Sequence, residues 1–460
     1  MRIKITILLL TIISLSMTAQ EFTLEECRQL ALQQNNQAKI DRENIEAAKD
    51  VHRASVAKFF PKLSVNGAYQ WNEKNLYLLP DEAGLNLGPN GWQQVIPGTG
   101  NQVVDQKLAE ALSSKYEQLH EATELNIEHL VIGYASVTQP IFVGGKLIQS
   151  EKLAKSQIQL MEIKAEKNQK DLITSVDEAY WRVLTVESKY ELAEQYLNLL
   201  KQLESDVTNL VEIGLATNAD LLKVRVKRQE AEMNYLQATN GLKLSKMALC
   251  QLCGLDINYD IHLHDDGLEV PMLINDSTEG EERSELRLLE QARKAAHAGV
   301  MMAASTLMPN VVAKANYLAT NPSLRNGFKN NFSGMFTVGV VVNIPIAHAD
   351  NIYEIKAAKH AEQTLSLQLE EAKEKIHLQA TQAHQAVELA NAKLLQAEAG
   401  IRSAEENMRY ADESFKSGLI GATDLMMAQT AWMQARTAKI EAACEARLAE
   451  VNYLKYCGKL

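Results

Sequence analysis

Glycine and proline are scarce. The 460-residue chain carries 22 glycines and 9 prolines, about 7% together where ordinary proteins have ~12%. The prolines are also clustered: none falls between Ile141 and Val270, and none after Ile346. Two stretches of 130 and 115 residues therefore lack the strongest helix breaker. Strand-rich sandwiches and doubly wound α/β folds need a turn every ~10–20 residues and are excluded on this ground. Long uninterrupted helices are what remains.

Cysteine is also sparse, and its number is odd. Cys27, Cys250, Cys253, Cys444 and Cys457 do not make the framework of a stapled small domain. Cys250-Gln-Leu-Cys253 has the spacing of a redox or zinc half-site, but no second pair or neighbouring His pair completes four ligands. The better reading is two small apolar residues at the end of a helix. His262, His264, His377 and His384 read as surface residues. Basic charge is lacking too. The net charge of −11 disfavours nucleic acid, because an acidic chain repels phosphate. No GxSxG, HExxH, P-loop or paired-carboxylate motif stands in a suitable setting, so neither an enzyme nor a cofactor is expected. No segment offers 18 consecutive apolar residues, so any membrane insertion must use strands.

What is present begins with an export signal. Arg2 and Lys4 precede the apolar run Ile5 to Leu15, and the small or polar residues after it end in Met17-Thr-Ala19. This predicts a signal peptide over 1–19, cut after Ala19. No Cys follows the cut, so no lipid-anchored N-terminus is indicated.

The mature chain contains an internal repeat. Gly214-Leu-Ala-Thr-Asn-Ala-Asp220-Leu-Leu recurs 204 residues later as Gly418-Leu-Ile-Gly-Ala-Thr-Asp424-Leu-Met, and the same offset maps Leu252-Cys-Gly254 onto Tyr456-Cys-Gly458. Pro140 and Pro345 precede the two glycines by 74 and 73 residues, and Pro61-Lys-Leu-Ser-Val-Asn pairs with Pro309-Asn-Val-Val-Ala-Lys. Such a period is too long for a solenoid and marks a duplicated domain. The expected layout is a first repeat over 20–253, an acidic polar link over 254–283 and a second repeat over 284–460. A long loop near 73–129 is present in the first repeat only.

Each half has two strand candidates. Leu63, Val65, Gly67, Tyr69 and Trp71 alternate with polar or small residues; Phe336, Val338, Val340, Val342 and Ile344 do the same across 335–345. Segments 311–318 and 132–142 alternate less cleanly. Tyr69, Trp71, Tyr134 and Tyr317 are candidates for an aromatic girdle. Nine to eleven residues suffice for a tilted membrane strand, but four strands cannot close a barrel. In a membrane the chain must oligomerise, two copies giving eight strands and three giving twelve; periodicity alone equally allows a soluble sheet.

The rest reads as helix. Residues 146–213 contain no Gly or Pro, enough for about 100 Å of helix. Val176, Ala179, Val183, Val186, Tyr190, Ala193, Leu197 and Leu200 form a coiled-coil-like seam with 3,4 spacing. A return helix over 221–253 follows, and 351–416 with 425–457 repeat the plan. Gly214 and Gly418 suit the left-handed position at the hairpin turns. Asn218 or Thr217, and then Thr423, are the expected N-caps of the return helices.

With these pieces assembled, the chain resembles the TolC family of outer-membrane efflux proteins. The carriers are Phe22-Thr-Leu-Glu-Glu-Cys27-Arg-Gln-Leu-Ala-Leu-Gln-Gln-Asn35, Thr138-Gln-Pro-Ile-Phe-Val-Gly-Gly145, Glu178-Ala-Tyr-Trp181, the Gly214–Asp220 turn and their second-half counterparts, in order and across essentially the whole mature chain. The resemblance implies a mainly α fold with a membrane β-barrel: a homotrimer whose four strands per protomer build one twelve-stranded barrel, continued by a helical tube across the periplasm. It implies a passive exit duct in the outer membrane, in contact with its lipid. A periplasmic adaptor (a membrane fusion protein) and, through it, an inner-membrane RND or ABC pump would be the partners. Turns 213–217 and 417–421, with Gly214, Leu215, Thr217, Gly418 and Leu419, match the family's adaptor-contacting tips. In the family, carboxylates in the second-half turn ring the closed pore. Asp424 matches the first such position, the next is Met427 here, and Ile420 stands where the family has a basic residue of the closing network. Asp220 and Asp424 alternatively only complement the positive N-termini of the return helices. A stand-alone porin and a coiled-coil surface or spacer protein are the competing readings.

Overall fold

The computed structural model describes residues 21–459 apart from 83, 86, 88–89, 97, 265–282, 324, 326–329 and 347–348. The signal peptide expected over 1–19 and the linker acids Asp265, Asp266, Glu279, Glu281 and Glu282 lie outside the described residues.

In chain order the elements are β1 (Glu21–Phe22), α1 (Leu24–Gln34), α2 (Asn36–Ala57), β2 (Lys62–Trp71), β3 (Leu76–Tyr77), α3 (Gln102–Ala122), β4 (Glu124–Leu125), β5 (His129–Val143), α4 (Lys146–Glu212), α5 (Asn218–Cys253), β6 (His262–Leu263), α6 (Ser284–Ala304), β7 (Asn310–Asn321), β8 (Ser333–Asn343), α7 (Ala349–Lys416) and α8 (Ala422–Tyr456). The scarcity of breakers is realised in α4 and α7, of 67 and 68 residues. No described helix is long and apolar enough to cross a membrane.

The chain divides into two compact units, and each of the two sequence repeats contributes to both. The first draws on Met1–Lys49, Lys155–Ala296 and Ala361–Leu460. Its described residues are almost wholly helical. Its largest core gathers Val176, Tyr180, Val183 and Leu184 of α4 against Leu249, Cys250 and Cys253 of α5, Cys27 and Ala31 of α1, and Ala443 and Ala446 of α8. Of the predicted seam Val176, Val183, Ala193, Leu197 and Leu200 are buried and Ala179, Val186 and Tyr190 are half-buried; both cysteines of the Cys250/Cys253 pair are buried. Helix α1 starts with a capping box: Glu26 N–H donates to Thr23 Oγ1 at 3.3 Å and Thr23 N–H to Glu26 Oε2 at 2.9 Å. The described start of the link, expected as polar surface, is tied down. Ile261 is fully buried, and β6 pairs in parallel with β1. Tyr180 donates to the carbonyls of Phe22 and His264, tying both short strands to α4.

The second unit draws on Asp50–Ala154 and His297–His360. It holds a four-stranded antiparallel sheet in the order β2-β5-β7-β8. All four predicted strands are there. Strand β8 ends at Asn343, so Ile344 falls beyond the ladder. The 73–129 segment is not a long loop throughout. β3 and β4 pair within it, and α3 occupies 21 residues. Asn101 caps α3 by accepting from Val103 N–H at 3.1 Å. The turn-rich run before it, with Pro80, Pro89, Pro97, Gly98 and Gly100, masks a helix that itself has no glycine or proline.

Candidate functional site

Two features of the molecule bear on function: the faces of the sheet, and the tips of the helical hairpins.

Strand residues alternate between faces, so the ladder register assigns each face in full. On one face β2 presents Leu63, Val65, Tyr69 and Trp71, and β8 presents Phe336, Val338, Val340 and Val342. Between them lie Val131, Ala135 and Val137 of β5 and Val311, Ala313, Ala315 and Tyr317 of β7. This face is apolar along the middle of all four strands, with His129, Asn321 and Gln139 toward its ends, and its large side chains on β2 and β8 are exposed. The opposite face is mainly polar, with Ser64, Asn66, Gln70, Ser136, Asn316 and Thr337, and it also carries Ile132, Leu318, Met335 and Val341. Ser64 and Ser136 share a hydrogen bond of 2.7 Å, and Tyr134 Oη donates to Asn316 Oδ1 at 2.7 Å. Tyr134 therefore belongs to the polar face, not to an apolar-face girdle with Tyr69, Trp71 and Tyr317, because it is one residue out of phase with Gly133 and Ala135. The ladder also explains why 132–142 alternates poorly in sequence: Gly133 and Ala135 are small, and a bulge interrupts the register between Pro140 and Phe142. Within the protomer the outer edges of β2 and β8 pair with no described strand.

The hairpin tips belong to the helical unit. In the first, Gly214 has φ +79°, and Leu215 N–H reaches back to Leu210 O at 2.8 Å. In the second, Gly418 has φ +72°, and Leu419 N–H reaches Ser414 O at 2.9 Å. Both are helix ends closed by a left-handed glycine, as expected. Apolar side chains stand out in solvent there: Leu215 is 75% exposed and Leu419 78%. Ile213, at the start of the first expected tip, is exposed as well. Ile420 is half-buried, and Met427 is exposed. The two hairpins are held together below their tips by Leu200, Leu203, Val207, Leu221, Leu425 and Met426. A cleft of about 860 Å³ runs along α4, α7 and α8 beside the tips, lined by Asp206, Asn209, Ile213, Asp412, Phe415 and Trp432 among others.

The two turns differ in what holds their aspartates. Thr217 is the N-cap of α5: its Oγ1 accepts from Asp220 N–H at 3.2 Å and donates to Asp220 Oδ2 at 2.6 Å. Lys223 Nζ adds an ion pair to Asp220 at 3.2 Å. The Thr217 hydroxyl first, and Lys223 second, hold the Asp220 carboxyl below the usual aspartate range. In the second repeat the offset of 204 replaces Thr217 by Gly421 and Lys223 by Met427. Gly421, not Thr423, is the N-cap of α8, and it supplies no side-chain bond. The backbone turn places Thr423 already inside the helix. Asp424 is exposed, and neither of the side chains that hold Asp220 has a counterpart beside it.

A family model described as outer membrane efflux protein matches residues 128–255 and 277–459, that is, most of the described hairpins, β5, β7 and β8. The chain belongs to the outer membrane efflux protein family. Solved structures agree in fold. VceC of Vibrio cholerae superposes with a TM-score of 0.70 at 14% identity, covering 95% of this chain and 96% of VceC. The CmeC outer membrane channel of Campylobacter jejuni gives 0.73 at 15%, covering 95% and 85%. The open state of the MtrE outer membrane channel of Neisseria gonorrhoeae gives 0.70 at 17%, covering 95% and 88%. Compared with curated protein sequences, the chain has no match.

Proposed function

We propose that three copies of this efflux protein close their sheets edge to edge into one barrel of twelve strands in the outer membrane, and that the hairpins of the three copies form a passive exit duct on the periplasmic side. The carrying observation is the sheet: four strands, one mainly apolar face, one mainly polar face and two open edges. Unpaired edge N–H and C=O groups are not tolerated in lipid, so β2 of one copy must meet β8 of the next. The apolar face then meets lipid, and the Ser64, Ser136, Tyr134 and Asn316 face lines the lumen.

The exposed leucines at Leu215 and Leu419, with Ile213 and the cleft beside them, are the proposed docking surface for a periplasmic adaptor. An inner-membrane pump of the RND or ABC class would supply the energy, and the duct itself would do no chemistry. Asp424, with Met427 and Ile420 near it, is the proposed constriction of the closed pore; Asp220 is engaged in its own helix cap. A particle of three protomers in detergent, by native mass or light scattering, is the expected result. A folded, monodisperse monomer overturns the reading.

A further inference from the structure

We propose that Cys27 and Cys253 form a disulfide in the exported protein, joining the N-terminal helix α1 to the last turn of α5. Three cysteines converge at this point of the helical core, Cys27, Cys250 and Cys253, and all three are fully buried. Their orientations separate them. The Cys253 thiol points to α1: its Sγ donates to Cys27 O at 3.7 Å. The Cys250 thiol points the other way, toward Tyr259 O at 3.5 Å. The Cys250/Cys253 spacing suggests a CxxC bridge, but the geometry pairs Cys253 across to α1. The same junction is held by Asn35 Nδ2 on Leu252 O at 2.9 Å, so the two backbones are already fixed against each other. Cys457, the repeat-equivalent of Cys253, packs in a cluster with Ala380, Ala383, Val387 and Tyr453. The odd count of five is then one pair and three free thiols.

The proposal rests on the outer-membrane location, which places the folding chain in a compartment where disulfides persist. The chemistry is thiol–disulfide exchange with a disulfide-donating protein. One thiolate attacks the donor disulfide and forms a mixed disulfide; the second displaces the donor, which leaves as its dithiol. Two thiols lose two protons and two electrons, and the donor disulfide is reduced. Exchange must precede the docking of α1, since both sulfurs are buried afterwards. The bond would lock in place a helix whose partner lies 226 residues away in sequence.

The test uses the native chain. Outer membranes are acid-quenched, the protein is denatured without reductant in N-ethylmaleimide, and its peptides are mapped by mass spectrometry. The expected pattern is one Cys27–Cys253 linked peptide, with Cys250, Cys444 and Cys457 alkylated. In Cys250→Ser the link persists, and in Cys253→Ser Cys27 becomes alkylated. Alkylation of all five cysteines in the native chain overturns the proposal, and so does a link between Cys250 and Cys253.

Discussion

The Thr217 hydroxyl donates to the Asp220 carboxylate at 2.6 Å, and the equivalent bond is missing 204 residues later, where Gly421 precedes Asp424. The two turns share one backbone form, and they differ at the two positions that hold the aspartate in the first, Thr217 against Gly421 and Lys223 against Met427. A carboxylate held by a hydroxyl and an ammonium spends its field locally, whereas an unheld one projects it into the solvent.

Three copies of Asp424 around a closed pore would attract cations and repel anions, with the field focused by the narrow mouth. Asp424→Ala is expected to lower cation selectivity and weaken block by multivalent cations from the periplasmic side. Asp220→Ala is expected to change either property less, because Thr217 and Lys223 already engage that carboxylate. Reversal potentials under a salt gradient in planar bilayers read both. Unchanged selectivity in Asp424→Ala would leave Asp424 as a helix-end residue and move the constriction to Ile420 or Met427.

Gly214 and Gly418 are required for conformation, not for space. Both have positive φ, and a Cβ added at either meets nothing within 4 Å. A valine at either position should therefore cost about 1–2 kcal/mol through the left-handed backbone alone. Trimer yield and membrane insertion should stay near wild type, while adaptor pull-down and export fall. Full export in both variants would remove the tips from the docking surface.

Arg28 makes two parallel hydrogen bonds to Asp177, 2.7 Å from Nε to Oδ1 and 2.6 Å from the second guanidinium nitrogen to Oδ2. Asp177 is fully buried in α4. Burial pushes its carboxyl up, and Arg28 offsets this only in part; Arg28 is raised in turn by the carboxylate. Such a pair compensates a buried charge more than it adds net stability. Arg28→Met should cost about 3–5 kcal/mol, and Arg28→Met with Asp177→Leu should recover most of it. The sign with pH follows. In Arg28→Met the Asp177 carboxyl rises further above its unfolded value. The ionised native state is then penalised at neutral pH and relieved as pH falls through the folded value. Denaturant unfolding from pH 7 downward should show a shrinking deficit; a deficit that grows on acidification would contradict the assignment.

The long helices, the four strands and the turn glycines were legible because they rest on local rules: absent breakers, period-two alternation and a repeat that shows the same turn twice. Arg28 and Asp177 lie 149 residues apart, and no local pattern pairs them. The face of Tyr134 was misread because the small neighbours Gly133 and Ala135 hide the alternation; only the register with Val65 and Gly67 of β2 restores it. Helix α3 was hidden by the turn residues before it. At the second tip, Thr423 has a good capping side chain two residues too late, and the backbone places Gly421 at the cap. The difference between Asp220 and Asp424 could have been read from sequence, by asking what the offset of 204 does to Thr217 and Lys223.

A duct through the outer membrane must pass ions when it is opened, and a coiled-coil spacer cannot. The most direct test is single-channel recording of the purified assembly in planar bilayers, for wild type and for a variant with Asp424 and Met427 both changed to Ala. The account predicts discrete openings of one uniform size in both, with a higher open fraction in the variant because the constriction is removed. Absence of conductance from folded trimers of both proteins would contradict it.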